Sequence, residues 1–271
     1  QTDVYFRIGV PFESTLMSRI ETLLQPDRIV DLRRGLRLRT IDGSRHVRFG
    51  DAAADESAPR HADDHKPDPG THPSHAGHDQ GHDQGHDHGA GHDPGNRHGD
   101  TDDHTHDPAG LDPHTWLDPA LVKKQVETIR DALSRLDPAN RDAYRENCKA
   151  FQKELDTLHR ELAALLKPHR GRRFFVFHPS YGYFADAYGL EQIPVEMHGR
   201  EPSARQLGEL IAQARGDHVH TLFVQPQFSQ RAARAIASAI DGDVVTLNPL
   251  AGDYLENMRE IGRKVAKAFA E

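Results

Sequence analysis

The chain has 271 residues, enough for two modest lobes or one large domain. Its formal charge of -8 leaves no broad positive field, which excludes a general nucleic-acid or anionic-membrane binder. No run of about 18 apolar residues occurs, so no membrane-spanning helix is expected, and the single Cys148 cannot form an internal disulfide. Residues 3–10 read as a buried strand ending at Gly9, and residues 12–24 carry apolar positions at helical spacing (Phe12, Leu16, Ile20, Leu23). The chain enters that strand almost directly from Gln1 with no signal peptide ahead of it, which suggests a trimmed or incomplete N-terminus. Residues 28–32 form a second short strand.

Residues 51–110 lose all periodicity. They hold a near-repeat of Gly-His-Asp, starting at Gly77, Gly81, Gly85 and Gly91, and twelve of the 20 histidines, from His61 to His106. Such a segment cannot build a core and is expected to be a disordered loop. Imidazole is the commonest protein metal ligand, so this composition points to a transition metal.

Order resumes at Leu111. Asp118 before Pro119 has the form of a helix cap followed by a first-turn proline, with the helix running to 136. Asp137-Pro138 looks like the same device again. From there to about Leu166 the apolar spacing is helical (Tyr144, Phe151, Leu155, Leu158, Leu162, Leu165), about 45 Å of helix that could act as a strut between lobes. After Pro168 and Gly171, strands are expected at 173–177, 192–195, 221–224 and 244–247. Helices follow each, the first ending near Gly189 and the others covering 202–214, 228–240 and 252–269. This alternation means a parallel sheet with helices on both faces.

Open α/β sheets bind ligands beyond the carboxyl ends of their strands. His178 and Asn248 each follow a strand directly, and His114 stands where the chain returns from the His-rich segment. Taken singly, each also has a plainer reading: a histidine after a strand is more often a satisfied polar residue, and Asn-Pro is most often a turn. Among the remaining residues, His159 reads as a surface residue of the strut helix and Cys148 as a small residue on it, half-buried or idle, Asp253 as a helix cap, and Tyr181, Tyr183 and Phe184 as core.

The ordered motifs are Asp112-Pro113-His114-Thr115-Trp116-Leu117-Asp118-Pro119, a long helix, Phe175-Val176-Phe177-His178-Pro179-Ser180-Tyr181-Gly182, Gly199-Arg200-Glu201-Pro202-Ser203 and Asn248-Pro249-Leu250-Ala251. Together they resemble the zinc-binding solute-binding proteins of ABC importers, loosely over residues 1–50 and closely over 111–271. The resemblance implies an α/β fold of two Rossmann-like lobes with parallel sheets joined by a long linker helix. The N-terminal lobe would be incomplete and cover 1–137, including the loop 51–110. The linker would be 138–167 and the C-terminal lobe 168–271.

It further implies a site of three histidines and a carboxylate or water. His114 and His178 match two of the histidines; the remaining one normally lies upstream of the opening strand. Asn248 stands where the family has Asp, which leaves the fourth position in doubt. Related manganese carriers tend to have Glu at the place of His178. Imidazole suits zinc, with tetrahedral bonds of about 2.0–2.1 Å, and each ring should give its second N–H to a carboxylate, carbonyl or water. The implied function is Zn²⁺ capture and delivery to an ABC permease by a monomeric, non-enzymatic protein of the periplasm or cell surface. Loop histidines such as His78, His82, His86, His88 and His92 would hold zinc weakly, and this should fade on mild acidification. A passive spacer and a permease-docking element are the other readings of the loop. Alternatives for the whole are a zinc buffer or metallochaperone, a manganese importer component, or a zinc hydrolase. No His-Glu-x-x-His helix is present to favour the last.

Overall fold

The computed structural model describes residues 3–42, 46–48, 110–196, 202–228 and 230–270. Every described residue belongs to one compact unit. The His-rich segment up to 109, with His78, His82, His86, His88 and His92, lies outside the described residues.

The chain begins with a βαβ unit. Strand β1 (Tyr5–Arg7) is followed by helix α1 (Pro11–Leu23) and strand β2 (Ile29–Asp31), which pairs with β1 in parallel. The strand is shorter than the apolar run suggests, because Gly9 takes φ +82 and ends the extended conformation. The buried carboxylate of Glu13 fixes this turn, accepting from the Tyr5 hydroxyl at 3.0 Å, the Ile8 N–H at 3.2 Å and the Gly9 N–H at 2.5 Å.

Strands β3 (Arg37–Arg39) and β4 (His46–Arg48) form an antiparallel pair that the sequence reading missed. Each carries one apolar residue between basic ones, too little for alternation to register. The chain returning at Gly110 lies along β3: the Ile41 N–H meets the Gly110 carbonyl at 2.7 Å, and the Asp112 N–H meets that of Arg39 at 2.9 Å.

Helix α2 (Pro119–Leu136) has its expected bounds, with the Asp118 carboxylate accepting from the Ala120 N–H at 2.8 Å. Burial pushes the Asp118 carboxyl above the ordinary aspartate range. Asp137 is not a second backbone cap. Its Oδ2 accepts from the Asn140 side chain and the Tyr144 hydroxyl, each at 2.7 Å, around a 3₁₀ turn at Pro138–Asn140. Helix α3 (Arg141–Leu166) then runs 26 residues, about 39 Å. Its buried stripe of Cys148, Leu155, Leu158, Leu162 and Leu166 repeats every three, four or seven residues, as one face of a helix must. His159 is half-buried against Tyr188, with ring centroids 5.5 Å apart, and is not a plain surface residue.

A four-stranded sheet has order β6-β5-β7-β8, all parallel, from β5 (Arg173–Val176), β6 (Glu191–Pro194), β7 (Thr221–Val224) and β8 (Asp243–Thr246). Helices α4 (Gly182–Tyr188), α5 (Ala204–Gly216), α6 (Gln230–Ala239) and α7 (Tyr254–Ala268) alternate with these strands. Successive side chains on a strand face opposite ways. Phe174, Val176 and Phe223 therefore pack with Leu158, Phe184 and Ile261 from α3, α4 and α7. Phe175, Phe177 and Leu222 pack with Leu210 and Ile236 from α5 and α6. Both faces are covered, and the carboxyl ends of the strands remain to carry chemistry. The architecture is the α/β arrangement with parallel sheets and a long helix expected from the sequence. Ser203 caps α5 in a capping box with Gln206, and Asp253 caps α7, so both are helix starts. Among the described residues no helix is long and apolar enough to cross a membrane.

Candidate metal centre

His178 leaves the carboxyl end of β5, and the loops that follow β6 and β7 hold it. Glu196, just past β6, is buried and sets Oε1 2.5 Å from the imidazole Nδ1. Gln225, just past β7, accepts from the His178 N–H at 3.3 Å and donates to its carbonyl at 2.7 Å. The ring of Phe228 stacks on the imidazole, with centroids 4.8 Å apart and planes 19° from parallel.

His114 is held by its own segment, the stretch that precedes α2. The Asp112 Oδ1 accepts from the His114 N–H at 3.0 Å and lies 2.7 Å from its ring Nδ1. Asp112 is only 1% exposed. The 3₁₀ turn Thr115–Leu117 that follows is anchored by Gln125 of α2, whose amide donates to the Thr115 hydroxyl at 3.0 Å.

The two imidazoles converge, with centroids 5.4 Å apart and planes 75° from parallel. An ionised carboxylate only accepts hydrogen bonds, so in the neutral form of each ring Nδ1 carries the proton and Nε2 is left with a lone pair. That is the tautomer a metal-binding histidine needs, fixed by the partner on its far nitrogen. The rings remain 11% (His114) and 26% (His178) exposed, so an ion can reach them.

Asn248 follows β8 as expected, but its Oδ1 accepts from the Leu250 N–H at 3.0 Å, closing a local turn. Pro249 accepts from the Trp116 indole at 2.9 Å, and Trp116 packs 5.2 Å from the His114 ring. Asn248-Pro249 thus buttresses the His114 segment. Among the described residues no group of three or more His, Cys, Asp or Glu side chains is arranged to hold a metal. Asp112 and Glu196 are spent on orienting the rings. A concavity of 530 Å³ lined by Arg234, Ser238, Asp241 and Asp243 includes neither imidazole in its wall.

Sequence reasoning found both histidines and missed Glu196, Gln225 and Phe228. It also missed the buried Arg39, whose Nη1 lies 3.7 Å from the Asp112 Oδ2, and the Tyr183 hydroxyl, which donates to the Asp112 carbonyl at 3.0 Å. Burial pushes the Tyr183 phenol well above its ordinary range, so it remains a donor at neutral pH.

Comparison with known proteins gives this geometry a context. The family described as ZnuA, zinc-uptake complex component A, periplasmic, matches residues 1–268. The chain belongs to the ZnuA family. The high-affinity zinc uptake system protein ZnuA of Yersinia pestis is 33% identical over 152 residues, covering 55% of this chain and 47% of that protein. The ZnuA of Bacillus subtilis is 32% identical over 144 residues, covering 52% and 45%. The matched stretch thus spans about half the length of these curated ZnuA relatives. A crystal structure of ZnuA superimposes with a TM-score of 0.70 at 30% identity, covering 98% of this chain and 79% of the other. A zinc-bound ZnuA deletion mutant gives 0.69 at 31%, covering 98% and 78%.

Proposed function

We propose that this chain captures Zn²⁺ between His114 and His178 and delivers it to an ABC-type permease without chemical turnover. The observation that carries this reading is the convergence of two imidazoles at 5.4 Å, each with Nδ1 held by a buried carboxylate. The Nε2 atoms would bind the ion directly at about 2.0–2.1 Å. The two carboxylates would raise the basicity of the rings through Nδ1 and lend negative charge to the site. Two nitrogen donors favour zinc over manganese, which prefers carboxylate oxygen. The remaining coordination positions fall to water or to donors outside the described residues. Both nearby carboxylates already serve the histidines, so neither is placed as a general base, and this favours a carrier over a zinc hydrolase. The ZnuA relatives named for zinc uptake support the import role, a periplasmic or cell-surface location and a permease partner. In this reading the protein acts as a monomer, and the His-rich segment gathers zinc weakly and passes it to the stronger site by proximity.

Calorimetric titration with Zn²⁺ tests the proposal. The chain should show one tight site plus weaker ones, and His114→Ala and His178→Ala should each abolish the same tight site. Deleting residues 53–106 should remove the weak sites and leave the tight one. If the deletion removes all binding, the protein is a buffer. If only weak equivalent sites are found in the intact chain, the capture role is wrong.

A further inference from the structure

Arg39, the last residue of β3, is 7% exposed and belongs to no motif that carries metal chemistry. Its guanidinium reaches two carboxylates on different segments. Nη1 lies 3.7 Å from Asp112 Oδ2, and Nε lies 3.4 Å from Asp186 Oδ2 on α4. Asp112 is the group that orients His114, and α4 begins four residues after His178. One planar cation therefore touches both imidazole-bearing segments. The backbone closes the same circuit: the Asp112 N–H meets the Arg39 carbonyl at 2.9 Å, and the Arg39 N–H meets the Tyr183 hydroxyl at 3.1 Å.

We propose that Arg39 is a positioning residue for metal capture, acting through Asp112 on His114 and through Asp186 on the segment that carries His178. The proposal rests on the zinc-capture reading above. Stability alone does not account for a guanidinium here. A buried ion pair spends most of its Coulomb gain on desolvation, and apolar residues of similar volume often replace one without loss of stability. What the guanidinium adds is direction. Asp112 Oδ1 faces the His114 ring while Oδ2 faces the Arg39 guanidinium at 3.7 Å, an ion pair without a hydrogen bond, so the charge of Arg39 biases the carboxylate, and through it the imidazole, toward this orientation. Arginine suits the task because its planar fork can address two carboxylates at once, whereas the ammonium of lysine is a single point of charge. The fold makes room for it at Gly182. A Cβ at that residue would fall 1.3 Å from Arg39 Nη1 and 2.8 Å from Asp112 Oδ2.

The test is zinc affinity, measured on the full chain by competition with a chromogenic chelator, for the wild type and for Arg39→Met, Arg39→Lys, Gly182→Ala and Asp186→Asn. Thermal melting of each metal-free protein accompanies it. A wild type without tight binding sinks the capture reading itself, whatever Arg39 does. With a tight wild type, Arg39→Met should weaken binding by about 10–100-fold, the usual cost of losing an outer-shell partner. Gly182→Ala, which displaces the guanidinium without removing it, should do the same, and Arg39→Lys should restore only part of the affinity. Asp186 is 42% exposed, so Asp186→Asn should fold, and it should bind zinc several-fold more weakly than the wild type. Long-range ¹H–¹⁵N NMR of the metal-free protein should show His114 as the Nδ1–H tautomer in the wild type and as a mixture in Arg39→Met. Wild-type affinity and an unchanged tautomer in Arg39→Met overturn the proposal. Should that variant not fold, wild-type affinity in both Gly182→Ala and Asp186→Asn overturns it.

Discussion

At the scale of single residues, the site depends on what happens at Nδ1. Glu196 is 5% exposed and holds His178 through a charge-assisted contact, so its carboxylate sets both the orientation and the basicity of the ring. Glu196→Gln keeps the shape and an acceptor oxygen but removes the charge. It should weaken zinc binding by about 10–100-fold, read by chelator competition, with little change in melting temperature. His114 and His178 were legible in the sequence because each stands where an ordered element begins or ends. Glu196 was not, because its neighbours Val195 and Met197 offer no pattern and its partner is chosen by long-range pairing. The β5–β6 register sets Val176 against Pro194, and this brings residue 196 level with residue 178. Gln225 and Phe228 reach His178 through the β5–β7 pairing in the same way. The Asn248 turn is consistent with its plainer reading, since its side-chain oxygen is engaged by Leu250.

At the scale of elements, the α2–α3 junction and the strand ends keep the site in register. Hydrogen bonds from Asn140 and Tyr144 hold the Asp137 carboxyl below its ordinary value of 3.8. The native state therefore binds this proton less readily than the unfolded chain. The clasp is fully present above 3.8 and is lost as pH falls through the lower native value. Asp137→Ala should lower the urea midpoint at neutral pH, and the gap from wild type should narrow at about pH 3. Between β7 and β8, a Cβ at Gly242 would fall 2.3 Å from the His220 carbonyl oxygen. That oxygen accepts from the Asp243 N–H at 2.7 Å, so neither side can yield without disturbing the start of β8. Gly242→Ala should cost about 1–3 kcal/mol in chemical denaturation. Helices α2 and α3 could be read from sequence because each carries a long periodic face. Strands β3 and β4 could not, since three-residue strands with one apolar position each carry almost no period.

At the scale of the whole molecule, residues from distant parts of the chain meet at one point. His114 enters on a segment stitched to β3, while His178 rises from the sheet whose faces are covered by α3, α4 and α7 on one side and α5 and α6 on the other. The α/β class and the parallel C-terminal sheet followed from the alternation of elements. The convergence itself was a bet on strand-end geometry, because only the tertiary fold brings residues 114 and 178 together. The central claim is that both rings bind the same ion. Crystals of the zinc-loaded protein, measured on either side of the zinc absorption edge, test it most directly. The account predicts one strong anomalous peak about 2.0–2.1 Å from the Nε2 atoms of both His114 and His178. Zinc bound to only one of the two rings, or at neither, would contradict it.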